Sequence, residues 1–517
     1  MHNKTVNQVI IVGGGTAGWL TAAKLAKHLN SKESNSVQVT LIESPDIPTI
    51  GVGEGTWPTM RKTLAELGIN ENEFLTYCNA SFKQGTKFVN WHTTPTSDTD
   101  QHYYHLFSSV VDPAEFNLSP YWSLGDKSLP YAEYVSAQAA ICDLGLAPKL
   151  ISNRCYEGIQ NYAYHLDAGK FAELLRDFSC DKLGVKHIKA NVTDVLLDKG
   201  GLINAVVTDK QGELKGELFV DCSGFKSLLL GKIYGINFIS IKDTLLADHA
   251  VAIQVPYTEE SPNINSTTMS SAQPAGWIWD IGLATRRGTG YVYASDFVSH
   301  DEAEQTLRDY IGPQAKNLDV RKIKMDCGYR SKFWHKNCVA IGLSAAFVEP
   351  LEASAIFLVE AAANMLCDQF PRHQSLMPMV EKKFNQSFQF RWIKTINFIK
   401  MHYCLSQRNE PFWQANRHPK TIPEELTEQL KHWKHHPVSR YDFSHVFDPF
   451  PQASYQYVLY GMGFEQKLDY ARSTYHEESK ASQYQIMNQK FQQKLLTQLP
   501  SNHELLQKVA KYGFQNL

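Results

Sequence analysis

Two groups of residues in this chain have types and spacings suited to chemistry. Gly13, Gly15 and Gly18, in Gly13-Gly-Gly-Thr-Ala-Gly18, follow the pattern Gly-x-Gly-x-x-Gly. Glycines at these positions let a chain turn sharply and let its backbone approach a pyrophosphate. The free N–H groups of a following helix then face the anion. Trp277 and Trp279, in Gly276-Trp-Ile-Trp-Asp-Ile281, stand two residues apart. On a strand that spacing puts both indoles on one face. Such a pair can pack a core or wall off a cavity, and the two roles are compatible.

The elements that position the glycines are legible. Val9-Ile-Ile-Val12 reads as a buried parallel strand, Trp19 to Leu29 as a helix, and Val37 to Ile42 as a second strand ended by Glu43. This is a βαβ unit whose acid is placed to accept from a ribose hydroxyl. An acid there disfavours a 2′-phosphate, so NADP is set aside and FAD and NAD remain. Glu217 to Gly224 is an apolar strand ending in Asp221-Cys-Ser-Gly224, and Asn337 to Gly342 is another strand running into glycine. The first resembles the second strand-turn of flavoproteins with two dinucleotide folds, which favours FAD.

Along the rest of the chain, residues 62–80 and 171–180 read as helical, and 92–130 as an irregular excursion. Residues 185–221 alternate and turn like hairpins, and 247–297 are strand-rich. Beyond about residue 355 the pattern becomes long amphipathic helices at 355–370, 376–407 and 478–510. The expected fold is α/β: a dinucleotide-binding fold like that of FAD-dependent monooxygenases, with mixed sheets and helices, plus a mostly helical C-terminal subdomain. The expected domains are a flavin-binding body over 1–365, with an irregular insertion at about 92–165, and a helical subdomain over 366–517 packed on it.

Composition narrows the class. Of the 517 residues, 43% are hydrophobic and 20% charged, the balance of a soluble globular protein. A net charge of −2 gives no field for nucleic acid or an anionic membrane. The nine cysteines are odd in number and lack a Cys-x-x-Cys pair, which argues against a disulfide framework or metal site and for a reducing cytosol. No signal peptide or membrane span is expected, so the location expected is cytoplasmic.

Several strings, taken in order, resemble flavin-dependent halogenases of the tryptophan type. They are Gly51-Val-Gly-Glu-Gly-Thr56, Asn79-Ala-Ser-Phe-Lys83 with Lys87-Phe-Val-Asn-Trp91, Trp277-x-Trp279-x-Ile281, Arg287-Gly-Thr-Gly-Tyr-Val-Tyr293, Phe347-Val-Glu-Pro-Leu-Glu352, and the helical stretch Phe398 to Trp413. The resemblance runs from about residue 6 to about residue 465. It implies FAD used as FADH2, with a chloride or bromide co-substrate. A C4a-hydroperoxyflavin then oxidises the halide to hypohalous acid, which travels an internal tunnel to an electron-rich aromatic such as an indole or tryptophan derivative.

The resemblance also implies site residues. Lys83 and Glu352 would be catalytic. Gly13, Gly15, Thr16, Ala17, Gly18, Glu43, Ile50, Val52, Gly55, Val192 and Leu343 would hold the flavin. Ser354 and Ala355 would bind halide, His105, Phe107 and Tyr455 the substrate, and Trp277 and Trp279 would line the tunnel. No metal is implied. The implied partners are a separate NAD(P)H-dependent flavin reductase, dioxygen and a small aromatic; a monomer or homodimer is expected, with neither nucleic acid nor membrane as a partner. A generic Lys is exposed and a generic Glu in a first helical turn only favours the dipole. The surrounding strings give Lys83 and Glu352 their roles.

The chain departs from the family at four places. Ala353 and Ala355 stand where Ser and Gly are usual, Gly282 stands where Pro commonly follows the tryptophan-pair motif, and Tyr455 stands where a Trp is expected. Two other functions remain open on sequence: a flavin-dependent aromatic hydroxylase, and a non-catalytic flavin-binding protein.

Overall fold

The computed structural model describes residues 5–29, 36–47, 53–95, 101–443 and 446–515. Ile50 and Val52 lie outside these described residues. The chain forms two compact units, each assembled from three stretches. The first unit comprises residues 1–78, 166–241 and 326–392, and the second 79–165, 242–325 and 393–517. The stretches of the two units alternate along the chain, and residue 365 falls inside the first unit.

The first unit is built on a six-stranded sheet in the order Trp334–His335, Cys338–Ala340, Leu218–Asp221, Gln8–Val12, Gln38–Glu43, Lys186–Lys189. All its pairings are parallel except the short antiparallel edge at Trp334–His335. Val9, Ile11, Val39, Leu41 and Val220 are buried, as a sheet covered on both faces requires. The Thr16–Leu29 helix crosses over from the first strand, and the Ala168–Leu183 helix begins under an Asp167 cap. The expected hairpins over 185–221 form a three-stranded antiparallel sheet of Val192–Leu197, Ile203–Thr208 and Gly212–Lys215.

The second unit carries a seven-stranded sheet in the order Val320–Lys324, His249–Pro256, Arg286–Tyr293, Gly276–Gly282, Thr268–Gln273, Gly85–Val89, His102–Leu106. Its last strand lies in the stretch expected to be irregular. His102–Leu106 pairs antiparallel with Gly85–Val89, with His105 opposite Thr86. The sheet needs that edge covered, and tertiary pairing overrides the polar composition around it.

The C-terminal helices are Ser354–Asp368, Met377–Leu405, Glu478–Gln498 and Asn502–Tyr512, with shorter ones between. The single helix expected over 478–510 is two helices. Pro500 lacks a backbone donor and pushes Leu499 into an extended conformation, with ψ 134°. Ser501 then caps the second helix by accepting from the Glu504 N–H at 3.1 Å. Among the described residues no helix is long and apolar enough to cross a membrane.

Candidate functional site

In the first unit the glycine loop joins the Gln8–Val12 strand to its helix. Gly13 has φ +123°, and a Cβ there would come within 2.1 Å of the Cys222 carbonyl oxygen, so only glycine fits between the two parallel strands. Gly15 faces open space: a Cβ would meet nothing within 4 Å. Thr16, Ala17 and Gly18 form the first turn of the helix, whose leading N–H groups lack intrahelical partners. Glu43 ends the neighbouring strand with its carboxylate 2.8 Å from His187 Nε2, and remains partly exposed. The geometry suits a pyrophosphate, with an acid at hand for a ribose. The residues fit FAD.

Three other residues expected on the flavin side lie in the same unit. Gly55 is buried at the end of the Gly53–Gly55 strand. Val192 opens the Val192–Leu197 strand, and Leu343 lies in the turn Gly342–Ser344. Glu54, beside Gly55, has its pKa pushed up to about 7 by burial.

Glu352 closes the short turn Pro350–Glu352 and is 3% exposed. Ala353 follows in the left-handed conformation, with φ 51° and ψ 37°, and the Ser354–Asp368 helix starts at once. A left-handed residue at a helix start turns successive N–H groups toward one point, a concavity that suits an anion. Ser354 is buried and Ala355 is exposed.

Trp57 fixes this turn from behind. Its indole Nε1 donates to the Glu352 carbonyl oxygen at 2.8 Å, and its ring stacks on Phe357 at 4.2 Å between centroids. One turn of helix beyond Phe357, Glu360 accepts from Thr59 at 3.0 Å and from Thr63 at 2.6 Å.

In the second unit Lys83 ends the short strand Ser81–Lys83, which pairs antiparallel with Ala163–Asp167. Alternation puts Ser81 and Lys83 on one face and Phe82 on the other, where it packs edge-on to Tyr162 at 5.5 Å. Lys83 is 1% exposed, and its Nζ lies 5.0 Å from the centre of the Phe107 ring. That is cation–π range. His165 is also buried, with Nε2 2.8 Å from the Thr268 hydroxyl. Burial, and then the charge of Lys83, hold its pKa well below the ordinary value, so it is neutral.

His105 and Tyr455 stand on one aromatic cluster. His105 Nε2 lies 2.8 Å from the Ser454 hydroxyl, and its ring is 5.7 Å from Phe398. Tyr455 meets Phe398 edge-on at 4.9 Å and also contacts Trp433 and Phe443. Trp277 and Trp279 share a face of the Gly276–Gly282 strand, with centroids 6.4 Å apart. Trp279 is registered opposite Gly290, where a Cβ would lie 2.1 Å from its ring. Gly290 is therefore the hole that admits this indole.

A family model described as tryptophan halogenase matches residues 8–475. The chain belongs to the tryptophan halogenase family. It is a flavin-dependent halogenase, using FADH2 and halide, and such enzymes take their reduced flavin from a separate reductase and require dioxygen and an aromatic substrate. Tryptophan 6-halogenase SttH of Streptomyces toxytricini is 36% identical over 487 residues, covering 90% of each chain. Tryptophan 7-halogenase RebH of Lentzea aerocolonigenes is 37% identical over 428 residues, covering 80% of this chain and 79% of its own. The crystal structure of a tryptophan halogenase from Shewanella frigidimarina superposes with a TM-score of 0.95, at 44% identity over 99% of both chains. Those structures also bear out the mixed α/β fold with its helical C-terminal region.

Several residues of this halogenase that support the candidate site residues stand outside the strings singled out in the sequence. Trp57 sits just beyond the Gly51–Thr56 string and had a signal, a tryptophan beside a matched motif. Gln84, Gln138, Asn161 and His165 had none; ordinary polar residues acquire their positions only from the fold.

Proposed function

We propose that this halogenase acts on a small electron-rich aromatic of the indole class by electrophilic substitution, with Lys83 and Glu352 as its catalytic groups. The observation that carries the reading is the burial of Lys83, 1% exposed, with its Nζ 5.0 Å from the centre of the Phe107 ring. An incoming hypohalous acid hydrogen-bonded to Nζ has its halogen made more electrophilic, and a dry site strengthens that polarisation. His105, Phe107 and Tyr455 offer aromatic faces that suit a flat π-rich ring.

The bound flavin supplies, with dioxygen, the oxidising equivalent that turns halide into hypohalous acid. The protein's own residues do the rest. The amides of Ser354 and Ala355 hold halide, Glu352 orients the oxidant and accepts the proton released from the substituted ring, and Trp277 and Trp279 bar the substrate from the flavin. Keeping the oxidant from bulk water prevents its loss to side reactions. Tryptophan itself is one candidate, but the named relatives act at position 6 or position 7 at nearly equal identity to this chain. Identity therefore carries no regiochemistry. A monomer or homodimer working in the cytoplasm completes the reading.

The test is mass spectrometry of indoles, tryptophan and phenols incubated with this protein, a flavin reductase, NADH, FAD and either chloride or bromide. Halide-dependent monohalogenated indole supports the reading. A hydroxylated product would make the protein a hydroxylase, and no product under any condition would leave a flavin-binding protein.

A further inference from the structure

Behind Phe107 lies a buried amide pair that no motif marks. Gln138, on the short helix Gln138–Asp143, and Gln84, next to Lys83, are both completely buried. Gln138 Oε1 accepts from the backbone N–H of Phe107 at 3.1 Å and of Ser108 at 2.9 Å. Gln138 Nε2 donates to Gln84 Oε1 at 3.1 Å and to the Asn161 carbonyl at 2.8 Å. Its two donors and two acceptor sites are therefore all used. Gln84 Nε2 donates onward to the Leu146 carbonyl at 2.8 Å, and the Gln84 backbone carbonyl accepts from the Phe107 N–H at 3.3 Å. Asn161 closes the circuit: its Nδ2 donates to the Phe107 carbonyl at 3.0 Å, and its N–H donates to the Ser108 hydroxyl at 3.0 Å.

Both backbone polar groups of Phe107 are thus held by side chains that also fix the residue following Lys83. Phe107 lies just beyond the His102–Leu106 strand, where the ladder is down to one long bond at 3.3 Å. A saturated polar network in a dry interior rigidifies what it binds, because any displacement leaves several buried groups unpaired.

We propose that Gln138 is a positioning residue: through Gln84 and Asn161 it sets the Phe107 ring against Lys83 and so fixes how tightly, and in which orientation, an indole ring is held. The proposal rests on the reading of Phe107 as a substrate wall. Gln138 itself touches neither substrate nor oxidant, so its effect appears in substrate binding and isomer choice and leaves flavin binding untouched.

The test compares the full-length protein with Gln138→Met, which keeps the volume and removes every bond, and with Gln138→Asn, which keeps the amide but withdraws it by one methylene. Indole is the probe. Calorimetry gives its Kd, and mass spectrometry with product standards gives the ratio of haloindole isomers, which does not depend on the fraction of active enzyme. Gln138→Met is expected to weaken indole binding about tenfold and broaden the isomer mixture, with the FAD Kd within about twofold of wild type. Gln138→Asn is expected to fall between. A Gln138→Met protein with wild-type indole Kd and isomer ratio would overturn the proposal, as would equal losses of indole and FAD binding. If Gln138→Met does not fold, Gln138→Asn decides by the same ratio. A wild-type protein that binds indole without halogenating it sinks the functional reading, yet leaves the Kd comparison to test this one.

Discussion

The indole N–H of Trp57 donates to the backbone carbonyl of Glu352 at 2.8 Å, while the same ring stacks on Phe357 in the first turn of the following helix. One side chain thus braces both sides of the left-handed Ala353. The turn carries the proposed catalytic carboxylate and the proposed halide amides together. Trp57→Phe keeps the stacking and deletes the hydrogen bond. A net loss of about 0.5–1.5 kcal/mol for one such bond corresponds to roughly two- to tenfold. We expect kcat to fall by that factor with the FAD Kd unchanged; stopped-flow halogenation and flavin titration measure the two. Unchanged kcat would show that the turn holds its shape without Trp57.

The same turn, as the proposed halide site, leads to an expectation for halide choice. Ala353 lacks a hydroxyl that could support Glu352, and the Cβ of Ala355 narrows the space beside its own N–H. Bromide is easier to oxidise and less strongly hydrated than chloride, so a poorly supported site loses chloride activity first. Initial rates at saturating halide are expected to favour bromide. Ala355→Gly combined with Ala353→Ser is expected to recover relative chloride activity. Equal rates in wild type would refute the preference, and no recovery would place its cause elsewhere.

The pH dependence of stability has a definite sign in the first unit. Burial raises the Glu360 pKa to about 7 from an ordinary 4.5, against the lowering effect of the Thr63 and Thr59 hydroxyls. A carboxyl with a raised folded pKa contributes stability that is fully present below about 4.5 and lost as pH rises through about 7. Glu54 shifts the same way. Glu360→Gln stays neutral, so its Tm relative to wild type is expected to be higher at pH 8 than at pH 5. Differential scanning calorimetry at the two pH values reads the difference directly, and an invariant difference would mean that Glu360 ionises no less readily when folded.

What was legible in the sequence was local or periodic. The loop from Gly13 to Gly18 needs only its flanking strand and helix, and Trp277 and Trp279 fall on one strand face by the period of two. The hole that receives Trp279 was not legible, although Gly290 lies in a matched string, because register decides which residue faces the ring. The His102–Leu106 strand was hidden because its pairing with Gly85–Val89 is tertiary. Pro500 and the Ser501-Asn-His-Glu504 sequence did carry a stop and a start signal for two helices; amphipathic periodicity across them obscured it. Asn502, which that break places, is completely buried, and its Nδ2 donates to the Phe82 carbonyl at 3.2 Å, next to Lys83. The family match ends at residue 475, so this support of the lysine strand comes from chain beyond it.

Lys83→Ala tests most directly whether Lys83 directs the halogen to the substrate. The measurement pairs two readouts in one reaction with a flavin reductase, NADH, FAD, halide and an accepted indole: halogenated product by mass spectrometry, and oxygen consumption by electrode. Removing an interaction made only in the substitution step should abolish product, by at least about a thousandfold, or about 4 kcal/mol. FAD binding and flavin-dependent oxygen consumption should stay within about twofold of wild type. Product formation by Lys83→Ala at the wild-type rate would contradict the account.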